Sequence, residues 1–288
     1  MGWFFASGLF TSPPVQVALV IGAVAATVSA VVGVLAMVRG LAFAGHALTD
    51  VAATGGSGAV LVGASPLGGF LGGALVGAGA IALAGHGPQQ RRDVATGIVL
   101  SAATGLSALF LYLDATTNAT TGVTQRVLFG SLFSASSSTV PVAIELGAAT
   151  LLLTAVIARP LVLSSLSREL ARARGIPVGV VSGVFLVTLA MAVGLSALTI
   201  GSLLSTALLV GPAAAAVRVT TRMSYALVIA SGIGIVSTWL GITLAYDSYN
   251  WMPHHQSLPV SFFVVVDVVV AYGLCSLVAA RRARGRRV

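Results

Sequence analysis

The chain has 288 residues, of which 57% are hydrophobic and only 8% are charged, and its mean hydropathy is +1.03. A water-soluble domain carries about a quarter charged residues, so this chain has too few charges to cover a water-facing surface. The net charge of +8 comes from fifteen arginines and no lysine. The arginines fall in short breaks between apolar segments, which indicates membrane topology rather than a phosphate-binding face, so no nucleic-acid partner is predicted.

Nine apolar segments are long enough to cross a bilayer, which takes roughly 20 residues per helix. In chain order they cover 15–38, 43–64, 67–85, 94–113, 139–158, 179–198, 200–217, 224–246 and 259–280. Leu198-Thr-Ile-Gly201 leaves almost no loop between the sixth and seventh segments, so a broken or re-entrant helix there would reduce the count to eight. We therefore predict a single all-α membrane domain, 1–288, built as a bundle of about eight to nine transmembrane helices surrounded by lipid.

The arginines also predict the orientation of the chain in a bacterial cell membrane. If nine spans alternate, the arginines of five breaks share one side: Arg39, Arg91, Arg92, Arg159, Arg168, Arg172, Arg174, Arg218, Arg222 and the tail at 281–287. Only Arg126 falls on the other side. Short cytoplasmic loops carry excess arginine, so the N-terminus is predicted outside and the C-terminus in the cytoplasm. Residues 1–14 lack the basic region and cleavage site of a signal peptide, so the first apolar segment is expected to remain as a span.

Glycines repeat at four-residue spacing in the third segment, at Gly69, Gly73 and Gly77. Small residues at this spacing allow helix backbones to approach closely in lipid, so we predict a packing face between helices of this chain. Gly201 and Pro212 are assigned to the same helix-packing set. The run Thr54-Gly-Gly-Ser-Gly58 has two interpretations: it unwinds the second helix, as at many transport sites, or it only adds flexibility near a helix end.

His46 and Asp50 form the sharpest candidate site, because residues four apart share one face of a helix. Ionisable groups are expensive inside a membrane, so their presence there is a functional hypothesis by default. Imidazole and carboxylate together suit zinc, manganese and iron, with further ligands supplied by neighbouring spans or water. The alternative is a histidine hydrogen-bonded to the carboxylate one turn away, holding two helices together.

Four other residues are weaker metal candidates. Glu145 and Asp267 also lie inside predicted spans, where each lines a pathway or pairs with an arginine or hydroxyl group at a helix interface. His254 and His255 lie in a predicted outer loop, where they collect metal at the pathway mouth or are simply solvated. Cys275 is the single cysteine, so the chain has neither an internal disulfide nor a cysteine-based metal site.

The sequence has none of the usual catalytic signatures. It lacks a phosphate-cradling Gly-Lys-Ser/Thr loop, an HExxH motif and a nucleophile elbow. The chain is therefore predicted to be a non-enzyme, and any ATP-driven work would need a separate ATPase chain.

The segment Val38-Arg39-Gly-Leu-Ala-Phe-Ala-Gly45-His-Ala-Leu-Thr-Asp50, followed by Gly55, resembles the second-span signature of bacterial ABC transporter permeases for zinc, manganese and iron. That signature reads basic residues, an aromatic residue, then Gly-Asp-x-x-x-His and a later glycine. Here the two ligand types are exchanged, because His46 stands where the family has Asp and Asp50 where it has His. The chain is thus identified as a divergent member of this family.

Three further segments resemble the family in the same order. Leu128-Phe-Gly-Ser-Leu132 is similar to its Phe-Gly-x-Leu segment, and Leu170-Ala-Arg-Ala-Arg-Gly-Ile176 to its cytoplasmic Ala-x-x-x-Gly-Ile loop. The stretch 201–216, with Gly201-Ser-Leu-Leu and Gly211-Pro-Ala-Ala, resembles the family's Gly-x-Leu-Leu…Leu-Pro-Ala-Ala segment. The turn before the last span keeps only Pro259 of the family's Asp-x-Pro-x-Gly.

The resemblance implies a permease that imports a divalent metal as cargo and holds no permanent cofactor. Its implied partners are a second permease copy, most simply as a homodimer, a cytoplasmic ATPase and an extracytoplasmic metal-binding protein. The ATPase would dock on the loop at about 160–178. The docking residues that the resemblance implies are Arg168, Glu169, Ala171, Arg172, Arg174, Gly175 and Ile176.

Two alternative functions remain open from the residues alone. An ion-coupled secondary transporter would use Asp50, Glu145 or Asp267 as ion sites, although no internal repeat is visible. A structural membrane subunit without transport activity would use its buried polar groups only for helix packing.

Overall fold

The computed structural model describes residues 12–84, 89–117, 122–130, 132–249 and 258–285, and every regular element within these ranges is helical. This confirms the predicted all-α fold. The helices are α1 (Pro13–Val38), α2 (Ala42–Leu61), α3 (Pro66–Ala84), α4 (Gln89–Thr117), α5 (Val123–Phe129), α6 (Thr139–Leu166), α7 (Arg168–Ala173), α8 (Val178–Ile200), α9 (Ser202–Val219), α10 (Met223–Ser248) and α11 (Val260–Gly285). A short 3-10 helix at Leu132–Ser134 precedes α6.

Each of the nine predicted spans coincides with a helix. Seven of them, α1, α3, α4, α6, α8, α10 and α11, are long and apolar enough to cross a membrane by themselves. The other two, α2 and α9, carry the polar side chains of the candidate site. These two helices pack against each other and against α1 and α8, so their polar residues lie inside the bundle rather than in lipid.

Burial divides the helices into a central and a peripheral set. The apolar windows of α1 and α8 are 61% and 56% buried, whereas those of α4 and α11 are only 22% and 11% buried. α1 packs against α6, α8, α9 and α10, and its small residues lie at the centre of the core. The peripheral helices therefore present apolar side chains to lipid or to another protein chain, as expected of a membrane protein.

The glycines of α3 face α2. A Cβ atom built on Gly73 would lie 2.5 Å from the Val51 carbonyl oxygen and 2.9 Å from the Gly55 Cα atom. One built on Gly77 would lie 2.9 Å from Cγ1 of Val51, whereas one on Gly72 would meet nothing within 4 Å. The two helix backbones thus touch along a glycine face, which only glycine permits.

The glycine run at 54–58 does not unwind α2. The helix is continuous from Ala42 to Leu61, so the unwinding interpretation is wrong. A Cβ atom built on Gly55 would instead meet the Gly69 carbonyl oxygen of α3, and one built on Gly56 would meet the Phe70 ring. The run therefore serves close packing of the helix that carries His46.

α8 and α9 are separated by one residue. α8 ends at Ile200, and Gly201 adopts φ +90°, a conformation that side-chain-bearing residues rarely adopt. α9 then runs back antiparallel to α2, because Ser205 contacts Thr49 whereas Leu209 lies against Gly45. α8 and α9 are therefore two separate helices joined by a one-residue turn.

Candidate metal site

His46 lies on the face of α2 that packs against α9. Its Nδ1 atom is 3.0 Å from Oγ1 of Thr206, and the imidazole is half-buried. The helices come close here because Gly45 has no side chain: a Cβ atom on it would lie 2.6 Å from Cδ2 of Leu209. The small residue preceding His46 therefore sets how near the imidazole comes to α9.

A cluster of hydroxyl groups continues the contact between α2 and α9. The Ser205 hydroxyl donates to Oγ1 of Thr49 at 3.2 Å, the Thr206 hydroxyl lies 3.4 Å from the same atom, and Thr49 donates to the Gly45 carbonyl at 3.0 Å. When Thr206 directs its proton to Thr49, it accepts from His46 Nδ1–H. In that arrangement the Nε2 lone pair of His46 is available to bind a metal.

Asp50 is held by a different helix. Its Oδ2 atom accepts a hydrogen bond of 2.9 Å from the Thr104 hydroxyl of α4. One turn further along α2, the Thr54 hydroxyl donates to the Ala103 carbonyl at 2.7 Å, which fixes α4 beside the carboxylate. Within the described residues Oδ1 of Asp50 has no hydrogen-bond partner. One carboxylate oxygen is thus oriented and the other is available to a cation.

His46 and Asp50 do not hydrogen-bond to each other in the part of the chain that the structure describes. Each is bonded to a threonine on a separate helix, so the simple packing alternative, a histidine bonded to the carboxylate one turn away, is not what the structure shows. A hydroxyl group thus fixes the direction of each side chain, and each keeps one ligand atom without a hydrogen-bond partner among the described residues.

The weaker metal candidates lie elsewhere. Glu145 is exposed on α6. Asp267 is half-buried on α11, and its Oδ2 atom is buried without a hydrogen-bond partner among the described residues, so the expected arginine or hydroxyl partner is not seen. His254 and His255 lie outside the described residues. Within the described ranges no three His, Cys, Asp or Glu side chains come together, so further ligands to a metal at His46 or Asp50 would come from water, hydroxyl groups or another chain.

The predicted docking loop at 160–178 is largely helical. It contains about the last two turns of α6 and the whole of α7. α7 begins after Ser167, whose hydroxyl accepts a hydrogen bond of 3.2 Å from the Leu170 amide. Gly175 adopts φ +72°, and the Ile176 amide closes the turn on the Ala171 carbonyl at 3.0 Å. These bonds fix the beginning of α7 and the turn that follows it.

The side chains of α7 divide by exposure. Ala171 is fully buried and anchors the helix, whereas Arg168, Glu169, Arg172 and Arg174 are exposed. A partner docking on this segment would therefore contact the charged residues, with Ala171 acting only through the position of α7.

Arg39 ties this segment to the start of α2. Its guanidinium lies 3.1 Å from the Ser182 hydroxyl on α8 and 3.4 Å from that of Ser164 on α6, and it stacks on the Phe185 ring with 5.8 Å to the centroid. Sequence reasoning used Arg39 as a topology marker and as the basic residue of the second-span signature, without foreseeing these contacts, and it did not single out Thr104 or Thr206. Hydroxyl residues inside apolar spans were the one available signal for those two threonines.

Comparison with known proteins gives a consistent result. The model of the ABC 3 transport family matches residues 12–270. The manganese transport system membrane protein MntC of Halalkalibacterium halodurans is 29% identical over 85% of this chain and 83% of its own length. Its namesake in Listeria monocytogenes is 30% identical over 84% of this chain and 85% of its own length.

A solved structure shares the fold. The structure of PsaBC from Streptococcus pneumoniae in complex with Fab aligns with a TM-score of 0.78 and 23% identity, covering 93% of this chain and 92% of the aligned chain. The family match covers nearly all of the helical bundle, including the helices that hold His46 and Asp50. The chain is therefore a member of the ABC 3 transport family, a multi-pass membrane permease.

Proposed function

We propose that this chain is the membrane-spanning subunit of an ATP-driven importer whose cargo is manganese. The observation that carries the proposal is the pair of His46 and Asp50, each oriented by a threonine and each retaining a free ligand atom. The relatives named for manganese transport support this choice of metal over zinc or iron.

The chemistry of His46 and Asp50 suits a metal ion that binds briefly and moves on. Imidazole and carboxylate bind manganese. Cys275, on α11, joins no cluster of three or more His, Cys, Asp or Glu side chains among the described residues. Two protein ligands with water completing the shell hold an ion loosely. Conduction requires that a site attract an ion yet release it, so this low ligand number suits a pathway better than storage.

The exchanged order of the two ligands has a physical explanation. Thr206 and Thr104 are both hydroxyl residues, and a hydroxyl group both donates and accepts hydrogen bonds. Each can therefore orient either an imidazole or a carboxylate. The supporting hydroxyls allow His46 and Asp50 to stand in reverse order relative to the family signature without loss of the site.

The remaining parts of the proposed importer are those that its family implies. A separate ATPase would dock on α7, where Arg168, Arg172 and Arg174 are exposed. The arginine distribution favours a cytoplasmic position for this side, with the N-terminus outside and the C-terminus inside. A second permease copy would complete the pathway, and an extracytoplasmic binding protein would deliver metal to the opposite face.

Uptake of radioactive manganese into proteoliposomes tests the proposal. The permease is reconstituted with its ATPase and binding protein, and accumulation is compared with ATP and with a non-hydrolysable analogue. We expect ATP-dependent manganese accumulation that excess zinc inhibits less effectively than excess unlabelled manganese. Accumulation driven by an ion gradient without ATP would instead identify a secondary transporter, and the absence of any accumulation would refute transport.

A further inference from the structure

Exposed arginines gather at one corner of the bundle, where α9 ends, α10 begins and α11 ends. These three helices pack against one another. The arginines of this basic corner are Arg218, Arg222, Arg281 and Arg282. The sequence has no acidic residue from 170 to 246 or after Asp267, so the helix ends that form the corner carry positive charge only.

None of the four guanidinium groups is paired with a carboxylate among the described residues. Arg218 donates to the Tyr272 hydroxyl at 3.1 Å and lies over the ring of that tyrosine. Arg222 stacks on the Tyr225 ring, with 5.9 Å to its centroid. The two arginines on α11 make no side-chain hydrogen bond with a described residue. The N–H donors that remain suit phosphate oxygens, which guanidinium groups bind through paired hydrogen bonds.

The arginines continue an apolar face that is open to the surroundings of the bundle. The apolar window of α11 is only 11% buried, and Leu274 and Leu277 are exposed on it. Arg281 follows on the same face, because residues four and seven apart share one side of a helix. On α10, Tyr225 and Val228 are likewise exposed one turn apart, and tyrosine is typical of the boundary between membrane and water. The corner therefore lies where acyl chains give way to headgroups.

This corner is separate from the segment on which an ATPase is proposed to dock. That segment centres on α7, which packs against α6 and α8, whereas the corner belongs to α9, α10 and α11. Because Arg281 shares a face with leucines that point sideways from the bundle, its side chain points sideways as well. A lipid headgroup occupies that position in a membrane, whereas an ATPase lies below the helix ends.

We propose that the basic corner binds anionic phospholipids of the cytoplasmic leaflet, with lipid phosphates on its guanidinium groups and acyl chains along Leu274 and Leu277. Arginine clusters immediately cytoplasmic of a transmembrane helix are suited to such headgroups. The sequence adds further arginines just beyond, at positions 284, 286 and 287. The inference rests on the proposed function only for the cytoplasmic orientation of the corner.

Quenching of a tryptophan by brominated lipid tests the proposal. Leu277→Trp places the reporter about one helical turn from Arg281, and the chain without this change gives the background of its three tryptophans. The full-length permease is reconstituted in phosphatidylcholine vesicles that hold increasing fractions of brominated phosphatidylglycerol or brominated phosphatidylcholine. One arginine at a membrane surface favours an anionic lipid by about 1 kcal/mol, or roughly fivefold. We expect stronger quenching by phosphatidylglycerol, and Arg281→Gln/Arg282→Gln should lower its binding constant roughly fivefold or more.

The matched control is Arg281→Lys/Arg282→Lys, which keeps both charges and should keep most of the preference for phosphatidylglycerol. Three results would overturn the proposal: equal quenching by the two lipids, an undiminished preference in the glutamine variant, or loss of the preference when the ATPase or millimolar inorganic phosphate is added at constant ionic strength. Loss on adding the ATPase would assign the corner to that protein. Both leaflets of the vesicles carry the lipid and no readout depends on metal transport, so failure of the proposed function is recorded separately.

Discussion

Replacing Gly73 with alanine perturbs the contact that positions the helix of the candidate site. The added Cβ atom would lie 2.5 Å from the Val51 carbonyl oxygen and 3.0 Å from the Gly55 amide nitrogen. Both of these atoms belong to the backbone of α2, so neither can rotate away. The helices must separate by about 1 Å to restore ordinary carbon contacts, which begin near 3.5 Å.

The cost follows from the packing. Overpacking a close contact typically destabilises by about 1–3 kcal/mol. At about 2–4 °C per kcal/mol for a chain of this size class, the unfolding midpoint should fall by roughly 2–12 °C. Gly72→Ala is the matched control, since a Cβ atom there meets nothing within 4 Å. Alanine also favours helix over glycine, so the control should be unchanged or slightly more stable.

Thermal unfolding of the purified permease in detergent, followed by reaction of Cys275 with a thiol-sensitive dye, measures both variants. Cys275 is half-buried on α11 and is the single cysteine in the sequence, so its labelling reports unfolding. Equal midpoints for Gly73→Ala and Gly72→Ala would refute the glycine-face contact between α2 and α3.

Three other predictions follow. Thr206→Val and Thr104→Val keep the side-chain volume but remove the orienting hydroxyls. Manganese affinity, measured by equilibrium dialysis, should therefore fall about 10–100-fold. Thr243→Val is the control and should leave the affinity unchanged, because the Thr243 hydroxyl bonds only the Trp239 carbonyl. Gly201→Ala forces a side chain into φ +90° against the Leu128 carbonyl and should destabilise by about 1–3 kcal/mol in the same thermal assay. Arg39→Lys keeps the charge but loses the Nη2 group that donates to both Ser164 and Ser182, and should cost about 1 kcal/mol or more of stability. An unchanged midpoint would contradict the role of Arg39.

The positions of the helices were predictable because the bilayer imposes a length and a hydropathy on every span. The short break at Gly201 was the ambiguous point, since hydropathy does not distinguish a one-residue turn from a broken helix. The turn is determined by the backbone conformation of Gly201 and by its contact with the end of α5. That contact depends on the tertiary structure and cannot be read from hydropathy.

The spacing of His46 and Asp50 on one helix was visible in the sequence, but the residues that bond them were not. Thr206 is 160 residues from His46, and Thr104 is 54 residues from Asp50. The sequence does not show whether the hydroxyl of a threonine inside an apolar span bonds its own helix or a neighbouring one. The glycine run at 54–58 was misread in one interpretation for a similar reason, because a glycine that permits unwinding also permits the close contact seen with α3.

Manganese uptake by the reconstituted importer, measured for four permease variants, tests the central claim most directly. If His46 and Asp50 hold the passing metal, His46→Ala and Asp50→Ala should each lose most of the uptake while ATPase docking is retained. The exchanged variant His46→Asp/Asp50→His should keep substantial uptake, because Thr206 and Thr104 can orient either ligand. Glu145→Ala, which alters an exposed carboxylate on α6, should behave like the wild type. Unchanged uptake in both single alanine variants would contradict the account.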